Sequence, residues 1–138
     1  MSTTPPKVLI LEDEQQLRCQ LSTYFEDMEV FHVVEAETGE EALVMLRSEP
    51  ADLCIVDIRL PGMDGTAFIR ASVQEKLCRH FLVHTGSVDA ELHATLVELG
   101  VADRSIFLKP CDLTRLLGRV RELLRPGKKQ EFVLDRKL

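Results

Sequence analysis

Five short apolar runs, each followed by a stretch with helical spacing, constrain this chain more than any other feature. The runs are Val8-Leu9-Ile10-Leu11, 31–34, Leu53-Cys54-Ile55-Val56, Phe81-Leu82-Val83 and 105–108. The first of them, Val8-Leu9-Ile10-Leu11, is continuous, as expected for a strand buried on both faces. Between the runs the period changes. Leu17, Leu21, Tyr24, Phe25 and Met28 recur at helical spacing from Glu14 on. Thr38-Gly39-Glu40-Glu41 has the form of a capping box, which predicts a helix from Thr38 through Arg47. After a Leu60-Pro61-Gly62 loop, Asp64 or Thr66 opens a helix carrying Phe68, Ile69, Val73 and Leu77. Val88, Leu92, Leu96 and Leu99 mark a fourth helix stopped by Gly100. Leu113, Leu116, Leu117, Val120, Leu123 and Leu124 form the stripe of a fifth, which Pro126-Gly127 ends.

Strand and helix in strict alternation with short links imply an α/β chain: a doubly wound parallel sheet of five strands, helices on two faces, crossovers right-handed. The chain has 138 residues, 45% of them hydrophobic, enough for one domain with a real core. It divides into a leader at 1–6, a folded domain at 7–125 and a polar, basic tail at 126–138. The tail sets Lys128, Lys129, Arg136 and Lys137 around Phe132-Val133-Leu134, a run that could dock on a partner or on the domain itself. A net charge of −6 argues against nucleic acid as a partner. The start is polar and proline-bearing, unlike a signal peptide, and no apolar run approaches the ~20 residues that span a membrane. Cys19, Cys54, Cys78 and Cys111 share no metal-ligand spacing. Reduced thiols in a cytoplasmic protein are the expectation.

In such a sheet the ligand sits beyond the C-terminal ends of the strands. Glu12 and Asp13 follow the first run, Asp57 the third, Thr85 ends the fourth and Lys109 follows the fifth. Two or three carboxylates and one ammonium converging at one sheet edge make a site for a hard cation and a phosphoryl group. His32, His80, His84 and His93 share no ligand spacing and read as packing or surface residues.

The acidic pair Glu12-Asp13, Asp57 with the following Leu60-Pro61-Gly62-Met63-Asp64-Gly65, Thr85-Gly86, Lys109-Pro110 and the five-fold alternation occur in one order. In that order the chain resembles the receiver domains of the response-regulator family over roughly residues 7–125. The resemblance implies strand order 2-1-3-4-5 and Asp57 as phosphoacceptor. It implies a Mg²⁺ (or Mn²⁺) ion held by Asp13, Asp57, Glu12 and the backbone carbonyl of Arg59. Lys109 and Thr85 would each meet a phosphoryl oxygen, and Lys109-Pro110 would be a cis peptide. It further implies a sensor histidine kinase or histidine phosphotransfer protein as donor. The downstream protein would be reached through the face of the fourth helix, fifth strand and fifth helix, with a homodimer on activation as an option. The chain would be a stoichiometric phosphoacceptor that catalyses its own phosphorylation and slow dephosphorylation.

Two positions depart from the family pattern. Glu12 stands where Asp is common, and Ile106 stands where an aromatic residue usually turns inward as the switch hydroxyl moves. Phe107 is aromatic, but strand alternation places it on the other face. Arg59 lies two residues past Asp57, where it could alter the lifetime of the phosphoryl group. It also excludes a haloacid-dehalogenase-type phosphatase, which needs an acid there. The acids after the first run would repel a flavin phosphate, and no P-loop motif occurs. Two alternatives stay open: a receiver-fold interaction module that works without phosphorylation, and a receiver cut from a longer regulator.

Overall fold

The computed structural model describes residues 4–125. The elements run β1 (Lys7–Leu11), α1 (Gln15–Met28), β2 (His32–Ala36), α2 (Gly39–Ser48), β3 (Ala51–Val56), α3 (Gly65–Glu75), β4 (Cys78–Thr85), α4 (Ala90–Glu98), a 3-10 turn (Asp103–Ser105), β5 (Ile106–Leu108) and α5 (Leu113–Leu124). All strand pairs are parallel, in the order β2-β1-β3-β4-β5. The doubly wound sheet and its order therefore stand as expected.

The sheet separates two apolar clusters. On one face Leu9, Leu11, Cys54, Val56 and Val83 pack against Leu43 and Leu46 of α2, Phe68 and Ile69 of α3 and Leu96 of α4. On the other, Val8, Ile10, Leu53, Ile55, Leu82 and Phe107 meet Leu21 and Phe25 of α1 and Leu116, Leu117 and Val120 of α5. Alternate residues of the central strands β1 and β3 thus feed opposite layers, which is why those runs are apolar, while the edge strand β2 carries exposed His32 and Glu35. Each fully buried Leu, Ile or Phe contributes roughly 1.5–3 kcal/mol.

Helices α2 to α5 start where a side chain takes an orphan backbone N–H, whereas α1 starts after Glu14 with no side-chain cap. Thr38 accepts from Glu41, Asp64 from Ala67, Asp89 from Leu92 and Asp112 from Thr114. The reciprocal arm at α2 is displaced: the Glu41 carboxylate accepts from the N–H of Glu37, not of Thr38. Asp64, not Thr66, opens α3.

Several element bounds differ from the sequence expectation. The second strand runs His32–Ala36, one residue later at its start. The third starts at Ala51 and the fourth at Cys78, because Lys7, Asp52, Arg79 and His80 are tolerated at the strand starts, where side chains reach solvent or partners. Ser105 belongs to the 3-10 turn rather than to the fifth strand, and Val88 precedes the fourth helix. In α1 the buried face is Arg18, Leu21, Ser22 and Phe25, while Met28 is 49% exposed. An apolar residue near a helix end need not be core. Gly100 ends α4 as expected, with φ of +100°, a conformation that costs other residues more. The expected stop at Pro126-Gly127 and the basic tail lie outside the described residues. No described helix is long and apolar enough to cross a membrane.

Candidate functional site

The C-terminal strand ends hold the predicted residues together. Past β1, Glu12 donates its N–H to Ala36 O at 3.1 Å, so the β1–β2 ladder continues into the acidic pair. Glu12 is 2% exposed and Asp13 is exposed. Past β3, Asp57 donates its N–H to Leu11 O at 3.0 Å and is 5% exposed. Past β5, Lys109 donates its N–H to Thr85 O at 2.8 Å, and the Lys109-Pro110 bond is cis, as the resemblance implied. Strand pairing carried one residue beyond each strand thus places the chemistry. Lys109 Nζ donates to Glu12 Oε1 at 2.9 Å and to Asp57 Oδ2 at 3.2 Å. Thr85 is fully buried, and its hydroxyl has no hydrogen-bond partner.

The loop after Asp57 is shaped by a close approach. Gly65 donates its N–H to Ile58 O at 2.8 Å, and a Cβ at Gly65 would stand 2.4 Å from Asp57 O. No other residue fits without moving the backbone that carries the acid. Arg59 donates its N–H to Asp57 Oδ1 at 3.3 Å, while its exposed guanidinium donates to Ser87 Oγ after β4. The side chain of Arg59 therefore bridges the two loops that flank Asp57. Sequence reasoning did not foresee Ser87, since nothing in local spacing couples positions 59 and 87.

Arg18 was also missed. It is buried, donates from Nη1 to Glu12 O at 2.8 Å, and pairs with Glu35 at 3.1 Å and Glu37 at 3.4 Å. It clamps the turn bearing Glu12 and Asp13 against the end of β2. The available signal was its place on the stripe with Ser22 and Phe25, a spacing an apolar filter discards.

Electrostatics follow from burial. The Glu12 carboxyl is pushed up by burial and by the Asp57 charge, against the lowering pull of Lys109 and the Glu14 N–H. Burial pulls Lys109 down, but its bond to Glu12 and the charges of Asp57 and Glu12 outweigh this and leave it raised. His84, 4% exposed, is pushed down to about 4 by burial and by the nearby Lys109 charge, with Asp57 opposing. It is therefore a neutral packing residue near pH 7, as read from the sequence. Glu12, Asp13 and Asp57 each offer an oxygen within 4.8 Å of the others. Three carboxylates against one ammonium leave excess negative charge in a mostly buried place. An all-oxygen donor set of that charge fits a hard divalent cation such as Mg²⁺.

Ile106 and Phe107 lie on opposite faces, as alternation predicted. Ile106 packs with the α3–α4 layer, and Phe107 lies in the α5 layer.

The response regulator receiver domain family matches residues 8–121. The chain is 34% identical over 119 residues to a cyclic di-GMP phosphodiesterase of Thermotoga maritima, covering 86% of this chain and 31% of that protein. It is 32% identical over 120 residues to the alkaline phosphatase synthesis transcriptional regulatory protein PhoP of Bacillus subtilis, covering 86% and 48%. The chain thus spans a third to a half of the length of these curated relatives. Among solved structures, a CheY-like response regulator receiver domain protein from Methanospirillum hungatei aligns with TM-score 0.84 at 23% identity, over 92% of this chain and 99% of that one. The non-phosphorylated HemR receiver domain of Leptospira biflexa aligns with TM-score 0.78 at 28% identity, over 87% and 94%. The matched span takes in all five strands and every residue from Glu12 to Lys109, and the chain belongs to the response regulator receiver domain family.

Proposed function

We propose that this chain accepts a phosphoryl group on Asp57 from a phosphohistidine of a sensor histidine kinase or histidine phosphotransfer protein. One observation carries the reading: Lys109 Nζ joins the buried carboxylates of Glu12 and Asp57 at one end of the sheet, where the Thr85 hydroxyl is buried without a partner. A buried unpaired hydroxyl is costly, and at this position it is free to donate to a phosphoryl oxygen.

An oxygen of Asp57 attacks phosphorus in line, the P–O bond forms, the P–N bond to the donor imidazole breaks, and the imidazole leaves with its proton. The chain supplies position and charge, which is most of what such a transfer requires. Lys109 exchanges part of its carboxylate contact for a phosphoryl oxygen and offsets the new charge. Thr85 turns its hydroxyl to a second oxygen. Glu12, Asp13, Asp57 and the Arg59 carbonyl would hold a Mg²⁺ (or Mn²⁺) ion, which supplies charge neutralisation across the phosphoryl oxygens. Arg18 keeps the Glu12–Asp13 turn in place. Water later hydrolyses the acyl phosphate slowly, so the chain acts as a stoichiometric acceptor.

Movement of Thr85 pulls on the loop after β4 and so on the face of α4, β5 and α5, the surface offered to a downstream protein or to a second copy. With Ile106 in place of an aromatic residue, the change travels by backbone shift rather than ring rotation. Residues 7–125 form the receiver unit in this reading, and its place is the cytoplasm.

Intact mass after incubation with acetyl phosphate or phosphoramidate, with and without Mg²⁺ and beside Asp57→Ala, tests the proposal. One added phosphoryl group that needs both Mg²⁺ and Asp57 is expected. No adduct, together with no beryllofluoride complex, would transfer the chain to interaction modules that work without phosphorylation.

A further inference from the structure

A groove of about 640 Å³ lies at the opposite end of the sheet from Asp57, along the first half of β4. Its origin is a mismatch in strand length. β4 has eight residues and β5 three, and β5 pairs with β4 only from Val83 on. Cys78–Leu82 therefore have β3 on one side and no strand on the other. Cys78, Arg79, His80 and Phe81 all line the groove. Its two walls come from opposite layers of the domain. Leu99, after α4, belongs to the layer that packs with Phe81, and Leu123 of α5 belongs to the other. The edge of β4 runs between them. Lys76, Arg79 and Arg104 stand exposed along the groove. The acids there are already engaged: Asp52 accepts from the N–H of Lys7, and Glu122 pairs with Arg119. On a chain of net charge −6 this is a local reversal of sign.

We propose that this edge takes an extended, acidic segment of a partner protein as an added strand. A strand edge presents a row of backbone N–H and C=O groups, and an extended peptide laid beside it supplies their complements. Along Cys78–Leu82 such a peptide covers about 17 Å at 3.3 Å per residue. Alternate side chains of a strand point to opposite faces. A groove whose walls belong to opposite layers suits that alternation: one set of side chains meets Phe81 and Leu99, the other meets Leu123. Charge selects among possible occupants. Lys76, Arg79 and Arg104 favour carboxylates. A second copy of this chain, paired edge to edge, would set the same cations against one another, which like-charge repulsion opposes. A nucleic acid would match the charge and leave the strand edge unpaired. The docked segment lies at the far end of the sheet from Asp57, so the partner is held without covering the phosphoacceptor.

The probe is a blocked, fluorescently labelled peptide alternating valine and glutamate, titrated with the full chain and read by anisotropy. Saturable binding is expected, weakened about ten-fold or more by Arg79→Glu with Arg104→Glu. Two N-methylated forms of the peptide test the strand geometry without changing its charge. Methylating the alternate nitrogens that face β4 should abolish binding, and methylating the other set should leave it. In the methyl spectrum of the complex, Leu99 and Leu123 should both shift, because they stand on opposite walls. No saturable binding up to millimolar peptide overturns the proposal. Equal binding of the same peptide with lysine for glutamate, or of both methylated forms, overturns it as well. So does a shift confined to one wall. Displacement of the peptide by single-stranded DNA of unrelated sequence assigns the groove to nucleic acid and also overturns it.

Discussion

The two ends of the sheet share strands but follow opposite physical rules. At the C-terminal end, charges are buried, paired and fixed by backbone bonds that continue the strand ladder: Glu12 to Ala36, Asp57 to Leu11, Lys109 to Thr85. At the N-terminal end, Lys76, Arg79 and Arg104 stand exposed around an apolar groove, and of the strand-start charges only Lys7 is buried, paired with Glu49 at 3.2 Å. A parallel sheet bearing one function can relax its other end. One end is intolerant because each change leaves a buried charge unpaired. The other tolerates charge because water screens it.

That contrast can be broken at its sharpest point first. Asp57→Asn should reduce phosphoryl incorporation to the detection limit while leaving the fold intact, as read by intact mass and circular dichroism. Incorporation that persisted would move the acceptor elsewhere. Next in size, Arg18→Met should cost about 1–3 kcal/mol in urea unfolding, chiefly because it leaves the buried Glu12 O without its donor, while Glu35 and Glu37 turn to solvent. A cost below about 1 kcal/mol would show that the turn holds itself.

The pH response has a definite sign. His84 has a folded pKa of about 4, below its ordinary value of 6.5. Its contribution is fully present above pH 6.5 and is lost as pH falls toward 4, by up to roughly 3 kcal/mol at about 1.4 kcal/mol per unit. Glu12 acts the other way. Its raised folded pKa contributes stability fully present below 4.5, lost as pH rises through the folded value. His84→Gln should flatten the acid limb of a thermal-unfolding profile, and an unchanged limb would point to other groups.

Gly65→Ala should cost about 1–3 kcal/mol and slow phosphorylation, because the added methyl carbon meets Asp57 O at 2.4 Å. The smallest effect belongs to the other end. Arg79→Glu with Arg104→Glu should change stability by no more than about 0.5 kcal/mol per site and leave phosphorylation untouched. Altered incorporation would show that the two ends are coupled.

Much of this was legible in the residues. Apolar runs identify the strands wherever both faces are buried, and the caps Thr38 and Asp64 lie at the starts of periodic stripes; Asp89 and Asp112 were not singled out. The runs mislead where burial is partial. The first residues of β4 read as loop, and Met28 reads as core, because composition does not report depth. Glu12, Asp57, Thr85 and Lys109 could be named because each sits at a strand end, a position countable along the chain. Arg18 and Ser87 could not, since their partners are set by packing across α1–β2 and across two loops.

By itself the sequence determined the alternation, the buried runs and which charged residues stand at their ends, because hydrophobic period and cap chemistry are local properties. Only the tertiary structure decided that Lys109 reaches both Glu12 and Asp57, that Arg18 grips the acidic turn, and that a basic-rimmed groove opens beneath β4. Each depends on distances between residues far apart in the chain, and these are set when the layers pack, not by any stretch alone.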